Sequence, residues 1–135
     1  MRQPIKKTRT KSQEIEQNLP SEASVGKFEM LEKLLASIYE KMKEFSKKKP
    51  DEPLNKFKVK NINRVLEQIK EVMKSEPTNE FLDLLDEDSL PSNSDSILII
   101  AQFTASIKQF RSKYYGWTGM NNEWSTKENP QIFQK

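Results

Sequence analysis

Lys108, Arg111 and Lys113 lead into Tyr114, Tyr115 and Trp117 at the end of the most apolar stretch of the chain. Cations beside aromatic planes suit a single-stranded nucleic acid, because bases stack on the rings while phosphates pair with the charges. The same residues also suit a structural role. Tyr114 would then be core, Tyr115 and Trp117 would cover one end of the fold, and the cations would complement a helix C-terminus. A second cationic set, Arg2, Lys6, Lys7, Arg9 and Lys11, stands in an acid-free stretch at the N-terminus. Cations on a mobile arm can displace condensed counterions from a phosphate backbone or meet an acidic protein surface. Lys6-Lys7-Thr8-Arg9 also resembles a short nuclear-import signal, relevant in a eukaryotic source.

The opposite charge is equally concentrated. Between Glu76 and Asp95 there are seven acidic residues and no basic one, so the rest of the chain holds 23 basic against 13 acidic residues and the net charge of +3 conceals a strong dipole. Glu80, Asp83, Asp86, Glu87 and Asp88 form the heart of this acidic patch. Asp86-Glu87-Asp88 lacks the alternating spacing and terminal Glu with which a calcium loop turns successive carboxylates toward one ion. A solvated face or a patch for a basic partner, the chain's own arm included, is the better reading.

Composition closes off most enzymatic chemistry. With no Cys there is no disulfide, thiolate nucleophile or cysteine-bound metal, and with no His the usual general base near neutral pH is missing. The three glycines form no phosphate-cradling loop. The longest apolar run, from Ile97 to Ala101, is far short of the ~20 residues that span a bilayer. No catalytic, cofactor-binding or metal site is expected, and the location expected is intracellular and cytoplasmic, or nuclear if eukaryotic.

Helical periodicity supplies the elements that must carry these charges. Phe28, Leu31, Leu35, Ile38, Met42 and Phe45 recur at spacings of three and four, predicting an amphipathic helix near 25–47. Leu34 and Tyr39 widen its apolar face, favouring packing in a globular bundle over an isolated coiled coil. Lys47-Lys48-Lys49 complement its C-terminus, and Pro50 and Pro53 end it. A second helix is expected near 58–75, on Ile62, Val65, Leu66, Ile69, Val72 and Met73. Thr78 could cap a short helix near 78–86. Ser92 with Asp95 fits a capping box, opening a helix near 93–115 on Ile97, Ile100, Phe103, Ile107, Phe110 and Tyr114. The run Ile97 to Ile100 could instead be a buried strand, but nothing else in the chain offers it a pairing partner.

The expected fold is all-α: a small helical bundle of three long helices plus one short helix. Residues 1–23 would form a disordered basic arm, 24–116 the bundle, and 117–135 an irregular polar tail whose Trp117, Trp124 and Phe133 fold back on the bundle. The expected function is non-enzymatic: an interaction or assembly subunit that uses its acidic patch and basic arms on a protein partner or larger complex. The alternative is a nucleic-acid-binding accessory protein gripping RNA or DNA without sequence readout. Self-association is open as well, because the last helix carries a wide apolar face.

Overall fold

The computed structural model describes residues 18–134, and most of them are helical. Three α-helices, α1 (Glu22–Lys48), α2 (Lys56–Val72) and α3 (Asn93–Tyr114), are joined by a 3-10 turn at Pro77–Phe81 and followed by a two-stranded sheet, β1 (Tyr115–Trp117) and β2 (Asn122–Trp124). Each helix opens on a side-chain cap. Ser21 Oγ accepts from the Ser24 N–H at 3.1 Å, Asn55 Oδ1 from the Lys58 N–H at 2.8 Å, and Ser92 Oγ from the Asp95 N–H at 3.1 Å. Each such bond satisfies an otherwise orphaned amide and is worth about 1 kcal/mol.

Helix α1 is the element against which α2 and α3 both pack. Phe28, Leu31, Leu35 and Met42 of α1 meet Val59, Leu66 and Ile69 of α2 and Ile100, Phe103, Phe110 and Tyr114 of α3 in one buried core. The apolar run at Ile97–Ile100 is helical, as the continuing period required. The α1–α2 connector is stitched to the start of α3. Leu54 N–H donates to Pro91 O, Asn93 N–H to Glu52 O, and the Asn93 side chain to Lys49 O at 2.8 Å. No helix among the described residues is long and apolar enough to cross a membrane.

Three expectations need correction. The short helix near 78–86 is only the 3-10 turn, which Thr78 does not cap, and the chain beyond Phe81 leaves the helix for an extended path. There Leu82 and Leu85 are buried, and the Asn63 amide brackets Leu85 like a strand partner, donating to its carbonyl and accepting from its N–H at 2.9 Å each. The Lys70 ammonium donates to Leu82 O. Consecutive carboxylates at 86–88 would also oppose the negative end of a helix dipole, which disfavours the helical alternative.

The N-terminal boundary also moves. Helix α1 begins at Glu22, and Leu19 is buried in the core, so order reaches into the stretch assigned to an arm. Arg2, Lys6, Lys7, Arg9 and Lys11 lie outside the described residues. The C-terminal segment is not irregular throughout. Tyr115 pairs with Trp124 and Trp117 with Asn122 across a turn in which Gly119, at φ +101°, takes a conformation that a side chain would strain. Thr118 fixes that turn through its N–H to Asn121 O at 2.9 Å. Beyond the hairpin, Ser125 N–H donates to Tyr114 O at 2.7 Å and Lys127 N–H to Pro20 O at 2.9 Å, and the Glu128 carboxylate accepts from the Glu22 N–H at the positive end of α1.

Candidate functional site

The cations and aromatics at the end of α3 are brought together, but mostly with one another and with carboxylates. Arg111 donates through Nε to Glu32 Oε2 at 3.0 Å and through Nη2 to Glu32 Oε1 at 2.6 Å, a two-pronged ion pair between α3 and α1. Its guanidinium also lies 5.1 Å from the ring centres of both Tyr115 and Trp124. The bonds to Glu32 outweigh partial burial and raise the Arg111 pKa further above its already high value. Trp124 Nε1 donates to Glu29 at 2.9 Å while its ring packs edge-on against Phe28.

Lys113 and Tyr114 are held the same way. Lys113 Nζ sits 3.4 Å from Glu76 Oε1, and the Tyr114 hydroxyl donates to Glu76 Oε2 at 3.0 Å. Tyr114 is fully buried, and that burial, reinforced by the neighbouring carboxylate, pushes its pKa well above the ordinary 10.0. Tyr115 is half-buried against Trp124 at 5.3 Å between ring centres. Trp117 remains 47% exposed on the hairpin, and Lys108 stands apart, exposed beside a shallow hollow between α1 and α3 lined by Tyr39, Glu40 and Thr104. The six residues from Lys108 to Trp117 therefore do not form one continuous stacking platform.

The acidic residues Glu80, Asp83, Asp86, Glu87 and Asp88 all lie at the surface. Asp86 Oδ1 accepts from the N–H groups of Asp88 at 2.8 Å and Ser89 at 3.1 Å, and these bonds hold its pKa below the ordinary carboxylate value. No group of three His, Cys, Asp or Glu side chains among the described residues is arranged to hold a metal ion.

A surface that periodicity did not single out lies between α1 and α2. Two adjoining hollows of about 420 and 210 Å³ share Asn61 and together run the length of the interhelical groove. Met30, Leu34, Ile38 and Phe45 line its α1 side, and Phe57, Asn61 and Val65 its α2 side. Leu34, expected to widen a packed face, is 46% exposed there, and Phe57 is 75% exposed. Lys41, Lys58 and Arg64 rim the groove, with Glu67 the acidic lining residue. Lys58 Nζ sits 4.4 Å above the Phe45 ring, and Arg64 has no carboxylate within 4.0 Å among the described residues. Phe57 was missed because it precedes the expected start of the second helix. With the helix beginning at Lys56, just after its Asn55 cap, Phe57 falls in the first turn, off the core face that Val59, Ile62 and Leu66 define. An aromatic out of phase with an apolar stripe is the signal that could have marked it.

Set against known proteins, the chain matches no family model, no curated relative and no solved structure.

Proposed function

We propose that the protein is a non-enzymatic interaction subunit, a small helical bundle whose α1–α2 groove docks an apolar segment flanked by acidic residues. The observation that carries this reading is the groove itself, with large apolar side chains open to solvent and cations along the rim. Grooves of this shape take amphipathic segments through anchors spaced along one face. Exposed apolar patches rimmed by charge are common at protein interfaces, where burying a Phe side chain contributes about 1.5–3 kcal/mol. The rim cations add selectivity and steer the approach of an acidic partner.

An adaptor role fits the chemistry elsewhere. Among the described residues, the titratable groups with buried surroundings, Tyr114, Glu76 and Lys113, satisfy one another. Of the C-terminal cations a nucleic acid could use, Arg111 and Lys113 are held by Glu32 and Glu76 while Lys108 stays exposed, so among the described residues that alternative rests on Lys108 and on the exposed Lys56, Lys60 and Arg64.

The test is an NMR titration of the full-length chain with an acid-rich amphipathic peptide, its basic counterpart and single-stranded RNA. Shifts confined to the groove, at Leu34, Ile38, Asn61 and Val65, with the acidic peptide alone are expected, and Phe57→Ser should abolish them. Shifts with RNA alone would support the nucleic-acid alternative. An acidic peptide that leaves the groove resonances unmoved sinks the docking reading.

A further inference from the structure

The chain carries its own candidate for that groove. Phe81 is 70% exposed and Leu84 is also open to solvent, while Leu82 and Leu85 beside them are buried. Asn63 and Lys70 hold the backbone of this stretch, so it is ordered before any partner arrives. Glu80, Asp83 and Asp86, all exposed, neighbour these two apolar residues in sequence, and no basic residue lies between Glu76 and Asp95. A preordered apolar pair set among carboxylates has the complementary chemistry to an apolar groove rimmed by Lys41, Lys58 and Arg64.

We infer that the Phe81–Leu84 segment of one copy docks in the α1–α2 groove of a second copy, an inference that rests on the groove reading above. The two features cannot satisfy each other within one chain. Asn63, which grips the acidic segment, and Asn61, which lines the groove, are two residues apart on α2 and so point roughly 200° apart around its axis. Groove and segment lie on opposite flanks of one helix. Their pairing between copies is therefore head-to-tail, and it builds a ring where the rotation closes and an open chain where it does not.

Two variants of the full-length chain test this, one blocked in the groove (Phe57→Ser with Arg64→Glu) and one in the segment (Phe81→Ser with Asp83→Lys). All four positions are exposed, and circular dichroism checks that both variants fold. In sedimentation velocity the unaltered chain should gain mass with concentration and lose it with added salt, as screening weakens the charge pairing. Each variant alone should associate at least about tenfold more weakly, a loss of ~1.4 kcal/mol. Their equimolar mixture should form a dimer and nothing larger, because it holds one intact groove and one intact segment per pair. An unaltered chain that stays monomeric, variants that associate undiminished, or a mixture that does not pair would overturn the inference. A labelled, unrelated acid-rich amphipathic peptide is titrated into the segment-blocked variant in parallel. Binding of that peptide where the copies do not pair leaves the groove reading standing and removes the second copy as its occupant. Failure of both removes both.

Discussion

The end of α3 and the α1–α2 groove are made from the same kinds of residue and have opposite fates. At the end of α3, Arg111 and Lys113 stand among Tyr114, Tyr115 and Trp124, and each cation has a carboxylate and a ring of its own. In the groove, Lys58 and Arg64 stand near Phe45 and Phe57, which face solvent. The difference lies in what the tertiary structure delivers. Glu32, Glu76 and Glu29 reach Arg111, Lys113 and Trp124 from 79, 37 and 95 residues away, whereas among the described residues no carboxylate lies within 4.0 Å of the Lys58 or Arg64 cation. A cation-aromatic cluster in a sequence is therefore equally compatible with a closed structural seam and an open binding face.

Substitution should separate the two regions most sharply in stability. Phe110 packs against Phe28 at 4.6 Å and Tyr114 at 4.9 Å, and Phe110→Ala should cost about 3–5 kcal/mol in urea unfolding. Phe57→Ala should shift the same curve by at most about 0.5 kcal/mol, as exposed positions do. Similar losses at both sites would break the contrast. Asn63→Ala should come next, at about 1–3 kcal/mol, because it strips a buried N–H and C=O of Leu85 of their partner. Hydrogen exchange should show the acidic segment opening before the helices do.

Arg111→Lys keeps the charge but removes the forked donor, and with both partners about one-third exposed it should cost only about 1 kcal/mol. Arg64→Lys in the groove should leave stability unchanged. The smallest effect is one of pH. Because the folded state raises the Tyr114 pKa, the stability it contributes is complete below the unfolded value of 10.0 and is lost as pH rises beyond it. Tyr114→Phe should flatten that alkaline decline relative to the unaltered chain. Parallel curves for the two proteins would mean that Tyr114 titrates in the fold as it does in the unfolded chain, with no raised pKa to contribute stability.

The long helices were legible because each depends on residues three and four apart. Phe28, Leu31, Leu35 and Met42, and Ile100 to Tyr114, bury as their spacing required, while Ile38 and Phe45 of the same stripe line the open groove, and Ser92 caps where its neighbours indicated. What was illegible depends on distant partners. Leu82 and Leu85 read as part of a short helix until Asn63, 22 residues before Leu85, takes their backbone into an extended path. The hairpin at Tyr115–Trp124 was hidden because three-residue strands carry too little alternation to register. The stacking candidates divided along the same line. Tyr114 followed its periodicity into the core, whereas the fate of Arg111 turned on Glu32, which no local pattern connects to it.

The clasp between Lys127 and Pro20 has a mechanical consequence. The last described residues are fastened one hydrogen bond at a time, from Gln134 at Trp117 back through Lys127 at Pro20 to Ser125 at Tyr114. A load drawing the two ends apart would open these bonds in series, like a zipper, instead of shearing the helices together. Phe133, seated against Gly116, would be the first large side chain withdrawn, and the later departure of Trp124 would uncover Phe28 and Phe110 while α1, α2 and α3 were still joined.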